Sequence, residues 1–463
     1  MLVTMPSQRQ VVGLLACLSI ASFFLTAVMH RDAPGLFKFY DDHKPPHGEA
    51  ENMEKHPTYK PKPDYVPPPI KDNFPLLARS KPPPIPEWNV PRKDLYKYHD
   101  LPTAPPLLIG FSRSWPILLQ AVVSYITAGW PADQIYVIEN TGVQQANTRG
   151  QLSLQNPFHL NHTTLKSLGV NIIQTPTLLS FAQLQNFFLS LTYTHNWPYY
   201  FWSHMDVLAL SYEDGHEVTP KYNEEGYKSL YALALQALQR AREEDPRWGI
   251  RFFAYDHLAL VNPAAYEDVG GWDTMIPYYI TDCDMHSRLA MRNWTMKDAK
   301  AGIITDVSTT LDDLAALYRL ENVETKFTDP NPPAPAKEDS KKSARDILAD
   351  VRVAVYRGDL AERDGNEKEE DQNLERWRKL LSTADTMFHY KHGNRGRNTW
   401  QTGQHGGQGE PFYYDAAGLA EAIEVTTESG KEVYRRKWGH RDCDLRTGAG
   451  LGFDDQWLVE KDW

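Results

Sequence analysis

Short apolar runs recur between residue 104 and about residue 310, and longer amphipathic segments separate them. Each run is four or five residues long and rich in bulky apolar or aromatic side chains, which is typical of a buried strand. The four predicted strands lie at residues 107–111, 135–138, 170–174 and 199–202.

Two of the segments between these runs have helical spacing. Residues 115–129 carry Pro116 in their first turn, where proline is tolerated, and residues 180–195 begin at Ser180, a favoured N-cap. Alternating strands and helices imply parallel pairing with right-handed crossovers. The sequence therefore predicts an α/β fold with a Rossmann-type, mostly parallel sheet and helices on both faces.

Polar side chains follow three of the predicted strands directly. They are Ser112-Arg113, Glu139-Asn140-Thr141 and His204-Met205-Asp206. Ligands of parallel sheets bind beyond the carboxyl ends of the strands. We therefore expect the three clusters to form one ligand site at that edge.

The stretch His204-Met205-Asp206 carries two potential metal ligands at positions i and i+2, which leave a strand on the same face. Asp206 is the predicted ligand for Mn²⁺ or Mg²⁺, since both ions prefer oxygen, and His204 is either a second ligand or a group that orients Asp206. The alternative is that both residues only cap the turn after the strand.

Two further motifs come later in the chain. Gly270-Gly271-Trp272-Asp273 predicts a bend, and Thr281-Asp282-Cys283-Asp284 precedes a predicted helix over residues 284–290. Asp282 would then lie near a helix N-terminus, where aspartate is a favoured cap. A carboxylate in this position can also serve as a general base, and the two roles are compatible.

Beyond residue 306 the alternation fades. Residues 329–380 are predicted to be a charged insertion with a solvated helical part, and residues 412–427 have helical spacing. Residues 387–400 combine basic, aromatic and glycine residues that could close over a diphosphate. Of its two histidines, His389 follows an apolar pair and is predicted to be a metal ligand in preference to His392.

The N-terminal part predicts a membrane anchor. Residues 11–29 are uncharged, and a helix of this length spans roughly 28 Å, close to the ~30 Å hydrocarbon core of a bilayer. We expect residues 1–10 to be a cytoplasmic tail and residues 11–29 to be an uncleaved anchor. A cleaved signal peptide is the alternative, since residues 21–27 are rich in small side chains.

A proline-rich stem follows the expected anchor over residues 30–103. Residues 34–106 contain eighteen of the 33 prolines, a composition that favours extended chain over a packed core. The remaining residues, 104–463, are predicted to form a lumenal domain. Plain disorder of the stem is the alternative.

Three observations bear on the compartment and the partners. The sequons at Asn161 and Asn293 fit a lumenal location, where Cys283 and Cys443 could pair or remain as buried thiols. The net charge of −11 and the pI near 5.8 argue against binding nucleic acid through a broad basic face.

The order of these motifs resembles the GT-A family of nucleotide-sugar glycosyltransferases, in particular fungal-type Golgi enzymes with a single type II membrane anchor. The resemblance covers roughly residues 104–310 and the short segment around His389. The matching motifs are Glu139-Asn140-Thr141, residues 180–186, His204-Met205-Asp206 in the place of Asp-X-Asp, Gly270-Gly271-Trp272-Asp273, and Thr281-Asp282-Cys283-Asp284.

The resemblance implies transfer of a sugar from a nucleoside diphosphate to a glycan or glycoprotein, with a UDP-linked donor as the default. Asp282 would be the base of an inverting reaction, and Asp206 with His389 would hold Mn²⁺ or Mg²⁺. Donor contacts are expected from Ser112, Glu139, Asn140, Gln183, Asn186 and His204, and acceptor contacts from Trp272, Asp273 and Asp284.

Two departures from the family pattern keep other functions open. His204 replaces the first acid of Asp-X-Asp, and Thr281 replaces a common glutamate. A retaining transferase on the same fold is one alternative. A membrane-anchored carbohydrate-binding protein without catalysis is another, and the histidine at position 204 is its main support.

Overall fold

A computed structural model describes residues 56–59, 61, 70–92, 94–328, 371–393, 404–411 and 415–462. The chain divides into two units, residues 1–65 and 66–463. The second unit carries every element described below. The predicted span at residues 11–29 lies outside the described residues, and none of the described helices is long and apolar enough to cross a membrane.

Nine strands form two sheets within the described part of the chain. They are β1 Leu107–Phe111, β2 Ile135–Glu139, β3 Asn171–Gln174, β4 Tyr200–Ser203, β5 Val207–Leu210, β6 Trp248–Phe252, β7 Leu258–Val261, β8 Thr295–Asp298 and β9 Ile303–Asp306. The larger sheet has the order β3-β2-β1-β4-β7-β6-β8, and β5 pairs with β9 in a separate two-stranded sheet.

The larger sheet is mixed but mostly parallel. Strands β1, β2, β3 and β4 pair in parallel, as do β6 and β8, whereas β7 is antiparallel to both of its neighbours. The predicted strands at residues 107–111, 135–138, 170–174 and 199–202 coincide with β1–β4 to within a residue or two. The expectation of an α/β fold with a mostly parallel sheet is therefore confirmed.

Nine α-helices are described around these sheets. They are α1 Trp115–Thr127, α2 Gln144–Thr148, α3 His162–Ser167, α4 Phe181–His195, α5 Leu230–Glu244, α6 Pro263–Asp268, α7 Thr281–Met291, α8 Gln372–His392 and α9 Ala416–Trp438. Ser180 caps α4 through a hydrogen bond from the Gln183 backbone N–H, as the sequence predicted.

Helices cover both faces of the larger sheet, and alternate apolar side chains of its strands pack against them. In β1, Leu107 and Ile109 enter one hydrophobic core with α1, α5 and α8, while Leu108 enters the opposite core with α4, α6 and α7. Successive side chains of a strand point to opposite faces. Burial on both faces keeps the strands rigid and leaves their carboxyl ends as the place for polar chemistry.

The folded unit begins earlier than the predicted boundary at residue 104. Phe74 and Asn89 are fully buried, and the Asn89 side-chain amide donates to the Thr127 carbonyl at 2.8 Å and to Glu213 at 2.9 Å. Residues from about 70 onward therefore belong to the domain rather than to a free stem. Isolated anchoring side chains between prolines are easily overlooked in an argument from composition.

The C-terminal end of the expected charged insertion is also part of the core. Helix α8 begins at Gln372, and Trp377 and Leu380 on it are fully buried. The indole N–H of Trp377 donates to the Ser211 carbonyl at 3.0 Å. The solvated helix expected over this stretch is thus a packed one from Gln372 on.

Cys283 and Cys443 form a disulfide, which decides between the two possibilities left open by the sequence. It joins the first turn of α7 to the segment after α9, across 160 residues of chain. Disulfides persist in oxidising compartments. The C-terminal segment is therefore covalently held against the helix that carries Asp282.

Replacing Cys283, Cys443 or both with serine should lower the free energy of unfolding by about 2–4 kcal/mol, because the disulfide restricts the unfolded chain. Urea denaturation of the full-length chain measures this. The two single variants and the double variant should be equally destabilised, and a reductant should affect only the parent chain. Equal stability of parent and variants would contradict the stabilising role.

Candidate functional site

The chain crosses from the larger sheet to the smaller one at His204-Met205-Asp206. Strand β4 ends at Ser203 and β5 begins at Val207, so these three residues form the crossing itself. Asp206 is only 7% exposed. A carboxylate this deeply buried either has a cationic partner or coordinates a metal.

That partner is Lys391. Its ammonium Nζ lies 2.7 Å from Asp206 Oδ2 and 2.5 Å from Asp306 Oδ1. Burial alone would raise the pKa of Asp206, but Lys391 and then His204 hold it well below its usual range. Burial alone would lower the pKa of Lys391, but the two carboxylates hold it above its usual range. Asp206 and Lys391 therefore each stabilise the charged form of the other.

The spacing of α8 explains why a lysine reaches this position. Its buried side chains recur every three or four residues along one face: Leu374, Trp377, Leu380, Ala384, Met387 and Lys391. Lys391 is thus the last member of an apolar stripe. Its stem continues the packed face, while its ammonium reaches past the core to the two aspartates.

The structure brings His392, rather than His389, to this cluster. His392 Nε2 lies 2.8 Å from Asp306 Oδ2, and its ring stacks on Phe388. His389 Nδ1 lies 2.8 Å from the Asp385 carbonyl of its own helix, and its side chain is 46% exposed. The choice of His389 as a ligand beside Asp206 therefore has no support in the geometry, because His389 lies off the buried stripe of α8.

His204 lies between two carboxylates. Its Nδ1 is 3.6 Å from Asp206 Oδ1, and its Nε2 is 3.7 Å from Asp256 Oδ2. Burial alone would lower the pKa of His204, but Asp256 and Asp206 raise it to about 10. The imidazole of His204 thus has a carboxylate near each of its ring nitrogens.

The turn between β6 and β7 joins the parts of the site, and the sequence reasoning missed it. Tyr255 Oη donates to Asp282 Oδ2 at 3.0 Å, while Asp256 faces His204 and His257 Nε2 lies 3.7 Å from Asp306 Oδ2. The signal available in the sequence was three consecutive polar side chains between two apolar runs, Tyr255-Asp256-His257.

Asp282 lies in the first turn of α7, which begins at Thr281 rather than at Asp284. The residue before the helix is Ile280, with φ at +70°, a left-handed conformation that is rare for a β-branched residue. Asp282 is half-buried and contacts Tyr255. Asp282 is therefore still partly exposed to solvent. The turn that contacts it through Tyr255 also contacts His204 through Asp256.

Asp273 and Asp284, both predicted to contact an acceptor, are joined instead by Lys437 of α9. Lys437 Nζ lies 2.7 Å from Asp273 and 2.8 Å from Asp284. Asp284 is 0% exposed and also accepts from Trp438 and Arg288. Its carboxylate is enclosed by protein donors, which leaves it a structural role.

Trp272 and Asn186 likewise make contacts within the protein. Trp272 is buried against Phe181, and the Asn186 side chain brackets the Trp272 backbone with two hydrogen bonds of 2.8 Å. A Cβ at Gly271 would lie 2.8 Å from Asn186 Oδ1, so the loop requires glycine there. These residues shape the loop before Asp282 rather than offering a surface to a ligand.

Two residues at the end of β2 that were predicted to contact the sugar donor already have hydrogen-bond partners within the protein. Glu139 is fully buried and accepts from Thr141, Asn147, His162 and Gln174. Asn140 pairs with the backbone of Leu179 in both directions. Both residues hold the loops around the sheet edge, and their predicted donor contacts stay predictions.

The end of the first strand carries Ser112, which was predicted to contact the donor, and the cation Arg113. Ser112 is half-buried after β1, but its neighbour Arg113 is buried close to Tyr278 and Tyr279. Burial lowers the pKa of Arg113 while the two phenols raise it. Gln183 is exposed and pairs with Ser180 in the cap of α4.

The arrangement does not fit the divalent metal that the resemblance implies. The ammonium of Lys391 already lies between the carboxylates of Asp206 and Asp306, and His204 lies between Asp206 and Asp256. Within the described residues, no group of three or more His, Cys, Asp or Glu side chains is arranged to hold a metal ion. The donor set near Asp206 is therefore that of an ion-pair network.

No family model matches this chain, and no curated protein does. Among solved structures it is similar to a mannosyltransferase from Pyrobaculum calidifontis in complex with GDP-Man and Mn²⁺, with 12% identity, a TM-score of 0.28, and coverage of 44% of this chain and 61% of that one. It is also similar to a cytidylyltransferase from Leptospira borgpetersenii serovar Hardjo-bovis, with 9% identity, a TM-score of 0.27, and coverage of 42% and 75%. The chain thus spans less than two thirds of the mannosyltransferase, and function rests on the geometry.

Proposed function

We propose that this protein is a glycosyltransferase that moves a sugar from a nucleoside diphosphate, UDP by default, to a glycan or glycoprotein acceptor. The observation that carries the proposal is the turn Tyr255-Asp256-His257. Its residues Tyr255, Asp256 and His257 contact Asp282, His204 and Asp306 respectively. A carboxylate base and cations near the donor diphosphate are the groups that such a transfer needs.

On the donor side of the site, two basic side chains would face the leaving diphosphate. His204 and Arg113 lie at the carboxyl ends of β4 and β1, two neighbouring parallel strands. Cations fixed in a partly buried site stabilise charge that develops on phosphoryl oxygens, and guanidinium matches phosphate geometry. The diphosphate would lie across this edge.

The acceptor side would be formed around Asp282. Tyr255 and Tyr279 are 48% and 54% exposed on either side of it in the chain, and sugar rings pack on aromatic faces. In the proposed reaction, the acceptor oxygen bonds to the anomeric carbon and its proton passes to Asp282. The bond from that carbon to the diphosphate oxygen breaks, and the anomeric centre inverts.

The covalent and sequence features support a lumenal site for this activity. The disulfide between Cys283 and Cys443 suits an oxidising compartment, and the sequon residue Asn293 is exposed after α7. Together with the apolar residues 11–29, these features support a type II protein of the Golgi membrane.

A panel of nucleotide sugars tests the donor proposal on the purified full-length chain. UDP-N-acetylglucosamine, UDP-galactose and GDP-mannose should be compared by thermal shift, with the free sugars as controls. A donor at 100 times its Kd should stabilise the native chain by about 2.7 kcal/mol. Stabilisation by free sugars, with none from any nucleotide sugar, would instead support a carbohydrate-binding protein.

A further inference from the structure

Lys391 lies where a divalent cation would be expected at this edge. Its ammonium contacts Asp206 Oδ2 at 2.7 Å, Asp306 Oδ1 at 2.5 Å and the Val307 carbonyl at 3.3 Å. A lysine ammonium has three donors, and these three acceptors use them all. The Lys391 side chain is 2% exposed, so this is an enclosed, fully formed cation site.

The backbone holds the two carboxylates within reach of one ammonium. Strands β5 and β9 are antiparallel, with Val207 opposite Asp306, and the Val307 N–H donates to the Asp206 carbonyl at 2.9 Å. Two carboxylates held together in a buried place repel each other unless a positive charge lies between them. Lys391 and a divalent ion would compete for the same oxygens.

A second contact to the carboxylate pair comes from the same helix. His392, the next residue of α8, reaches Asp306 Oδ2 at 2.8 Å, while Lys391 takes Asp306 Oδ1. The C-terminal turn of α8 therefore satisfies both oxygens of Asp306 and one of Asp206. Each of these contacts would be displaced by a metal bound to the same pair.

We propose that Lys391 is the resident cation of the Asp206–Asp306 pair, so that the sheet edge functions without a divalent metal. Metal-independent turnover of a donor rests on the proposed function. Occupancy of the aspartate pair by Lys391 does not, because it can be measured on the chain without any donor.

The test replaces Lys391 with methionine, which keeps most of the packed stem and removes the charge. Binding of Mn²⁺ to the full-length chain is followed by the loss of the free Mn²⁺ paramagnetic resonance signal and by thermal shift. The parent chain should show neither effect. Lys391→Met should bind Mn²⁺, and its Tm should rise by roughly 5 °C at 100 times the Kd. Lys379→Met, at an exposed lysine of the same helix, is the matched control and should behave like the parent chain.

Binding of Mn²⁺ by the parent chain as tightly as by Lys391→Met would overturn the proposal. If Lys391→Met does not fold, the double variant Asp306→Asn/Lys391→Met is used instead, because it removes one negative and one positive charge together. It should have no Mn²⁺ site, and tight binding there would also count against the assignment.

Donor binding separates this inference from the proposed function. If a nucleotide sugar stabilises the parent chain, EDTA should leave that stabilisation unchanged, and its loss in EDTA would overturn metal independence. If no nucleotide sugar binds while the Mn²⁺ results are as expected, the resident cation stands and the proposed function fails.

Discussion

Asp282→Asn is expected to lower the turnover number of sugar transfer by about 10²–10⁴-fold, the usual contribution of a positioned general base. The amide keeps the shape of the carboxylate and can still accept the hydrogen bond from Tyr255 Oη, which lies 3.0 Å from Asp282 Oδ2. What it loses is the capacity to take the acceptor proton. Donor affinity, measured by thermal shift, should stay unchanged.

The matched control is Asp298→Asn, which makes the same change at an exposed aspartate at the end of β8. It should transfer sugar at the parent rate. Full activity in Asp282→Asn would remove the base assignment, and loss of donor binding in that variant would place Asp282 on the donor side. The anomeric configuration of the product, read by NMR, distinguishes inversion from retention.

Asp284→Ala should lower the free energy of unfolding by about 3–5 kcal/mol, the usual cost of removing one partner from a buried ion pair. The variant leaves Arg288 and Lys437 buried without the carboxylate that both contact at 2.8 Å. The expected fall in Tm is roughly 10 °C. Calorimetry on the full-length chain measures it.

Asp268→Ala provides the comparison for this loss. Asp268 pairs with Arg247 at 3.3 Å on the surface, where both side chains are more than 40% exposed. Exposed pairs contribute about 0–1 kcal/mol. If Asp284→Ala were as stable as Asp268→Ala but defective in acceptor affinity, Asp284 would be the acceptor contact predicted from the resemblance.

The parallel part of the sheet was predictable from sequence because its determinants are local. Four apolar runs and the N-cap Ser180 are enough to place β1–β4 and α4. The two-stranded sheet was not predicted, because β5 and β9 pair across almost a hundred residues of chain and neither run is distinctive. Local periodicity carries no information about such a partner.

The candidate site shows the same limit more sharply. His204 and Asp206 stand out in the sequence, but the meaning of each depends on distant residues. Lys391 is 185 positions away from Asp206 and belongs to an otherwise apolar stripe of α8. The departure from Asp-X-Asp therefore has a physical account only in three dimensions, where Lys391 lies beside Asp206 and Asp256 lies beside His204.

Distant partners also explain why some predicted ligand contacts are instead buried or paired within the protein. Trp272, Asp273 and Asp284 belong to motifs that look chemical in one dimension. In the structure they pack or pair with side chains of α4 and α9 that the local motif does not contain. Accessibility, rather than residue type, separates Asp282 from Asp284 two residues later.

The most direct test of the proposed function is a crystal structure of the full-length chain, solubilised in detergent, with a nucleotide sugar that stabilises it. The diphosphate should lie across the carboxyl ends of β1 and β4, within hydrogen-bonding distance of His204 or Arg113, with the anomeric carbon facing Asp282. A nucleotide bound away from this edge, or a sugar that points away from Asp282, would contradict the account.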